Sequence, residues 1–105
     1  NVIGNVKGKQ CIIVDDIVDT GGTLVKAAEA LYSKGAEDVQ AYITHGVLSK
    51  NGMDTIQSSR LSSLVITDTI NNYEDKNVKI ISVGKLFAEA IRRVHHDESI
   101  SVLFK

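Results

Sequence analysis

The stretch that decides the fold is Val14-Asp15-Asp16-Ile17-Val18-Asp19-Thr20-Gly21-Gly22-Thr23. An apolar run at residues 11–14 leads into it, which is typical of a central parallel strand covered on both faces. After it, apolar residues recur at helical spacing and predict a helix over residues 22–34, with Gly35 at its stop. The stretch therefore predicts a strand, a short loop and a helix start at the edge of an α/β sheet.

The loop at residues 19–23 predicts an anion site. A helix start leaves backbone N–H groups without partners and carries the positive end of the helix dipole, so it attracts a phosphate. Gly21 and Gly22 let the backbone approach a phosphate because no Cβ stands in the way. Thr20 and Thr23 add hydroxyl donors, and Thr20 is also the expected helix cap.

Asp15 and Asp16 are expected at the carboxyl end of the strand, the edge at which open α/β sheets bind ligands. Carboxylates accept hydrogen bonds from sugar hydroxyls and hold Mg²⁺ directly or through water. The simpler alternative is a glycine-containing turn with Asp19 or Thr20 as the cap. That alternative leaves three neighbouring acids without a structural task, although clustered carboxylates repel one another.

The same stretch resembles the phosphoribosyl diphosphate loop of type I phosphoribosyltransferases and of ribose-phosphate pyrophosphokinases. It matches the pyrophosphokinase pattern Asp-Asp-x-x-Asp-Thr-small-Gly-Thr at every fixed position. The matching residues are Asp15, Asp16, Asp19, Thr20, Gly22 and Thr23, with Gly21 as the small residue. Further stretches that resemble the pyrophosphokinases lie at residues 26–31, 42–47, 65–70, 88–95 and 98–101. The resemblance covers nearly the whole chain.

This resemblance implies an α/β fold with an open, mostly parallel sheet flanked by helices, of the type I phosphoribosyltransferase kind. It implies that residues 1–105 are a single domain, the C-terminal half of a longer two-domain enzyme. That enzyme transfers the diphosphoryl group of Mg-ATP to ribose 5-phosphate, and its N-terminal half supplies most of the ATP site. Residues 1–105 alone are therefore expected to be inactive.

The resemblance also implies roles for the loop residues. The stretch from Asp19 through Thr20, Gly21 and Gly22 to Thr23 would hold the 5-phosphate, with the side chain of Asp19 facing the anomeric end of the sugar. Asp15 and Asp16 would hold the ribose hydroxyls, and Mg²⁺ through water.

Two other functions remain open. A salvage phosphoribosyltransferase would need a hood that binds the base, and none is visible in the sequence. A non-catalytic associated subunit would keep the fold for assembly and regulation, but such relatives usually lose parts of the loop. The resemblance further implies a homo-oligomer, a hexamer, and gives Ser99 and Ser101 a role in binding a regulatory phosphate. From the residues alone, these serines are only two hydroxyls near a chain end.

Composition and charge restrict the partners. The net charge of -1, with acidic and basic residues interspersed, argues against a surface for nucleic acid or anionic lipid. No apolar run reaches membrane-spanning length and no signal peptide opens the sequence, so we expect a cytoplasmic setting. The single Cys11 is expected to be a small core residue.

Further strands are predicted at residues 39–44, 61–66 and 78–83, with a short helix at 53–58 and an exposed polar loop at 71–77. A final helix is predicted around an apolar face. This face consists of Phe87, Ala90, Ile91 and Val94.

Polar residues also follow the second and third predicted strands. Residues 45–49 leave the second strand at the edge that bears the acidic pair, so we expect them to approach the ligand. For His45 the sequence favours a hydrogen bond to a neighbouring loop over a catalytic role. Residues 67–69, Thr-Asp-Thr, follow the third strand. They either brace the phosphate loop or form a turn bonded to its own backbone.

Overall fold

The structure, a computed structural model, describes residues 2–70 and 78–104. The loop expected at residues 71–77 lies outside the described residues. The elements in chain order are β1 (Gln10–Val18), α1 (Gly22–Ser33), β2 (Asp38–Gly46), α2 (Gly52–Gln57), β3 (Ser63–Thr67), β4 (Val78–Ile81), α3 (Gly84–His95) and a 3₁₀ turn (Ser101–Phe104). None of the helices in these two ranges combines the length and the apolar character needed to cross a membrane.

The strands of the described part form one parallel sheet in the order β1-β2-β3-β4. Because all the strands run the same way, their carboxyl ends meet at one edge of the sheet. The register there pairs Asp15 with Ile43 and Ile17 with His45. This architecture confirms the expected α/β fold with a parallel sheet and helices.

The core lies on one face of the sheet. Val39, Ala41 and Ile43 alternate along β2 with exposures of 0% to 3%, as their spacing predicts for a strand with one buried face. Leu24 and Ala28 of α1 and Ile56 of α2 belong to the same buried cluster. Burial of one such aliphatic side chain contributes roughly 1.5–3 kcal/mol.

The expectation that residues 11–14 form a central strand covered on both faces is wrong for the described residues. β1 is an edge strand, and Ile12 and Val14 on its outer face are 59% and 77% exposed. Only its inner positions, Cys11 and Ile13, pack against the core, and both are half-buried. The reason is that α1 and α2 both contribute to the core on the same face of the sheet. The apolar outer face continues through Tyr42 and Ile81.

The predicted bounds differ from the observed ones mainly at the carboxyl ends of the strands. The first helix ends as expected, with Gly35 in the left-handed conformation at φ +93°. β1 continues to Val18, so Asp15 and Asp16 lie inside the strand and not after it. An exposed edge strand tolerates these charges because their carboxylates remain in water.

The final helix forms where the sequence predicts it, but its apolar face is not covered. Phe87, Ile91 and Val94 are each more than half exposed, and within residues 2–70 and 78–104 α3 makes no extended contact with the sheet. Amphipathic spacing indicates which face of a helix favours burial, but it does not specify a partner.

Candidate functional site

A cavity of about 310 Å³ opens where β1 leads into α1. This volume lies at the lower end of the range for small-molecule sites. Its lining consists of Ile13, Asp15, Ile17, Val18, Asp19, Thr20, Gly21, Thr23, Leu24, Ala27 and Ile43. The structure thus brings five of the seven predicted loop residues to one cavity, whereas Asp16 and Gly22 are not among the lining residues.

The start of α1 carries no side-chain cap in the part described. The N-cap residue is Gly21, in the left-handed conformation at φ +88°, and the expectation that Thr20 caps the helix is wrong. The chain enters the helix one residue later than a Thr20 cap requires, because Gly21 adopts the left-handed turn that other residues rarely adopt. No acidic side chain lies in the first turn. The helix start borders the cavity through Gly21 and Thr23, and its N–H groups and dipole have no competing side chain there among the residues described.

The two neighbouring acids lie on opposite faces of β1. Successive side chains of a strand alternate, so Asp15 shares the inner face with Ile13 and lines the cavity. Asp16 falls on the outer face, the side of Val14. The backbone N–H of Asp16 donates to Oδ1 of Asp15 over 2.8 Å, and both side chains are exposed. Asp15 is consequently the acid of this pair that is positioned for a ligand in the cavity.

Asp19 is held by the loop that follows β2. Its Oδ1 accepts hydrogen bonds from the backbone N–H of Ser49, over 3.3 Å, and from the Ser49 hydroxyl. The sequence placed residues 45–49 at this edge of the sheet but did not identify Ser49, 30 residues away in the chain, as the partner of Asp19. The available signal was its position just beyond a strand whose end lies at the same edge as β1.

The polar residues at the carboxyl ends of β2 and β3 bind each other and the residue that precedes α3. Nδ1 of His45 lies 2.7 Å from Oγ1 of Thr69, which agrees with the expected bond to a neighbouring loop. The Thr67 hydroxyl donates to the Thr44 carbonyl, and the Val83 N–H donates to the Asp68 carboxylate. That bond from Val83, followed by one from Ser82, lowers the pKa of Asp68 below its ordinary value.

The expectation that residues 67–69 brace the phosphate loop is therefore wrong for the described contacts. A turn bonded to its own backbone describes them in part, because the Thr69 N–H donates to the Thr67 hydroxyl over 3.4 Å.

The two tail serines lie next to an ion-pair network. The hydroxyls of Ser99 and Ser101 are 2.8 Å apart, and Arg93 donates to the Ser99 carbonyl. Arg92 and Arg93 both bind the Glu89 carboxylate, and the bond from Arg92 is the main reason that the pKa of Glu89 falls to about 2.

The carboxylates near the cavity suit a partly hydrated cation. Across residues 2–70 and 78–104, no group of three or more His, Cys, Asp or Glu side chains is arranged to hold a metal ion. A Mg²⁺ ion usually keeps several waters and takes one or two carboxylates plus phosphate oxygens of a substrate. The exposed carboxylate of Asp15 on the cavity wall fits that donor set.

These features define an α/β protein with a glycine-containing loop and carboxylates at the carboxyl edge of a parallel sheet. Residues 1–105 match the family model described as the phosphoribosyl synthetase-associated domain. The ribose-phosphate pyrophosphokinase of Campylobacter jejuni is 55% identical over 105 residues, and that of Maricaulis maris is 51% identical over 108 residues. The chain belongs to the ribose-phosphate pyrophosphokinase family.

A solved structure agrees with this family. The crystal structure of phosphoribosylpyrophosphate synthetase from Mycobacterium smegmatis aligns with a TM-score of 0.85 and 38% identity, over 90% of this chain and 33% of that one. The two relatives above align with 99% of this chain and with 34% and 35% of their own lengths. The chain therefore spans about a third of the length of the relatives that it matches.

Proposed function

We propose that the chain belongs to the C-terminal half of a ribose-phosphate pyrophosphokinase. In this role it binds ribose 5-phosphate and Mg²⁺ for transfer of the diphosphoryl group of ATP, which yields 5-phosphoribosyl 1-diphosphate. The observation that carries the proposal is the uncapped start of α1 at Gly21, which borders a cavity shared with the carboxylate of Asp15.

The 5-phosphate binds at the first turn of α1. The N–H groups there and the hydroxyls of Thr20 and Thr23 donate to its oxygens, and the helix dipole favours its charge. Asp15, on the cavity wall, would accept hydrogen bonds from the ribose hydroxyls and hold hydrated Mg²⁺, whereas Asp16 on the outer face would contribute less to the ion. An ion held by Asp15 would supply neutralisation of the charge on the phosphates.

Phosphoryl-group transfer also needs positive groups on the departing and arriving phosphates, because positioning and electrostatic stabilisation supply most of the acceleration. The arginines of the described region have other partners. Arg92 and Arg93 bind Glu89, and Arg60 binds Glu29 and lies over the ring of Tyr32. Within the described ranges, neither lysine nor arginine lines the cavity beside α1. We therefore assign most of the ATP site to residues outside this chain, as the resemblance to the pyrophosphokinases implies.

Activity assays with Mg-ATP and ribose 5-phosphate test the proposal. We expect no turnover from residues 1–105 alone, and turnover from a complete polypeptide that contains them. Equal turnover by both would refute the division of the site between two halves. A complete polypeptide that binds ribose 5-phosphate without turnover would favour the associated regulatory subunit. Consumption of phosphoribosyl diphosphate with a free base would favour the salvage transferase.

We also propose that the protein forms homo-oligomers and that Ser99 and Ser101 contribute to a regulatory phosphate site. The uncovered apolar face of α3 supports the first proposal, because large exposed apolar surfaces mark interaction sites. Sedimentation of Ile91→Asn against Lys85→Asn tests it. The first change should weaken self-association and the second, on an already polar position of the same helix, should not. Equal association of the two variants would refute the involvement of this face.

A further inference from the structure

The loop after β2 is joined to the phosphate loop by backbone contacts as well as by Ser49. The N–H groups of Val47 and Leu48 donate to the Val18 carbonyl over 2.9 and 3.3 Å. Gly52, at the start of α2, lies so near the Asp19 carbonyl that a Cβ at residue 52 would stand 2.5 Å from that oxygen. The two loops therefore form one packed unit.

The loop after β2 has an unusual backbone conformation at two residues. Leu48 and Lys50 have φ values of +50° and +54°, in the left-handed region that residues with a Cβ adopt only at a cost. Such conformations persist where the surrounding structure fixes them, and they cluster at functional sites. Leu48 is fixed because its side chain is 6% exposed and belongs to the core. With Leu48 buried, the next residue, Ser49, faces the Asp19 carboxylate and binds it.

The contact between Ser49 and Asp19 has a consequence for anion binding. Asp19 lies two residues before the N-cap of α1, and its carboxylate has the charge that a helix start attracts. A carboxylate turned toward the first turn would occupy the N–H groups that a phosphate requires. Its hydrogen bonds from Ser49 hold the carboxylate at the neighbouring loop instead.

We infer that Ser49 is a positioning residue, which keeps the Asp19 carboxylate away from the start of α1 and so leaves that helix start open to the phosphate of the substrate. This inference rests on the proposed function, because it assumes that the helix start binds the phosphate. It adds Ser49, from the loop after β2, to the phosphate site at residues 19–23. Without the Ser49 hydroxyl, the Asp19 carboxylate would compete with the phosphate for the start of α1.

Calorimetry with inorganic phosphate and with ribose 5-phosphate tests the inference on Ser49→Ala, Ser49→Thr and a control, Ser33→Ala. Ser33 lies at the other end of α1, where its hydroxyl donates to the Ala30 carbonyl. We expect Ser49→Ala to weaken both ligands about tenfold, which is the order of loss on removing one hydrogen bond to a charged group. Ser49→Thr keeps the hydroxyl and should restore affinity, and the control should match the parent.

A second pair of variants separates positioning from a general structural effect. In an Asp19→Asn background the competing charge is absent, so Ser49→Ala should cost little affinity for inorganic phosphate. Equal losses in both backgrounds, or an unchanged affinity of Ser49→Ala alone, would overturn the inference while leaving the proposed function intact. If the parent binds neither ligand, the proposed function fails, and this inference fails with it.

Discussion

Gly21 lies against Ile56 of α2, and a Cβ on residue 21 would stand 3.2 Å from Cδ1 of that isoleucine. The φ of +88° at Gly21 adds a second reason why a side chain is strained there. At the next residue, Gly22, a Cβ would meet nothing within 4 Å. Gly21 is therefore required by the fold, whereas the absence of a side chain at Gly22 leaves space for a ligand.

We therefore expect Gly21→Ala to destabilise the protein by about 1 kcal/mol or more, the usual cost of forcing a Cβ into the left-handed region. Gly22→Val should leave the melting temperature nearly unchanged and weaken phosphate binding, because its side chain projects into open space at the helix start. Thermal unfolding and phosphate titration of both variants measure these effects.

Gly84→Val is the matched control for Gly22→Val, because Gly84 is likewise the first residue of a helix. It should have no effect on phosphate binding. If Gly22→Val bound phosphate as tightly as the parent, the phosphate would not lie against the first turn of α1.

The alternation along β1 separates the roles of its two acids. Asp15→Asn keeps the shape of the side chain and removes its charge at the cavity wall, so it should weaken Mg²⁺-dependent binding of ribose 5-phosphate more than binding of inorganic phosphate. Asp16→Asn removes the same charge on the outer face and should have the smaller effect. Calorimetry with and without Mg²⁺ measures both, and equal losses for the two ligands in Asp15→Asn would make that carboxylate structural.

The ion pairs at the end of α3 predict a loss of local order in acid. Because Arg92 and Arg93 hold the pKa of Glu89 at about 2 in the folded protein, against an ordinary value of 4.5, the charged carboxylate stabilises the fold above about pH 4.5. This contribution falls progressively between pH 4.5 and pH 2. An NMR titration of the Glu89 carboxyl carbon should show the low midpoint, and Glu89→Gln should remove the corresponding change in α3. A midpoint near 4.5 would contradict the ion pairs.

Local sequence signals predicted the elements that depend on local physics. Gly35 ends α1 in the left-handed conformation that a helix stop favours, and the alternation of Val39, Ala41 and Ile43 identified the inner face of β2. Five of the seven predicted site residues line one cavity because the strand that carries them ends at the carboxyl edge of the parallel sheet.

Contacts between distant residues could not be predicted in the same way. Asp68 binds the Val83 N–H, 15 residues away, although its sequence context indicated a brace of the phosphate loop or a local turn. Asp19 binds Ser49, 30 residues away, although its context indicated a ligand or a helix cap. Val14 and Ile91 were expected to be buried but are exposed, because their burial also depends on contacts between distant elements. An apolar pattern shows that a surface favours burial, but the number of faces that are covered depends on where the helices pack.

Phosphate binding at the start of α1 can be observed directly by NMR titration of the protein with ribose 5-phosphate in the presence of Mg²⁺, compared with ribose, which lacks the phosphate. We expect ribose 5-phosphate to shift the backbone amide signals of residues 19–23 in a saturable manner, and ribose to leave them nearly unchanged. Unchanged signals at residues 19–23 with ribose 5-phosphate, or equal shifts with ribose, would contradict the assignment of the helix start as the phosphate site.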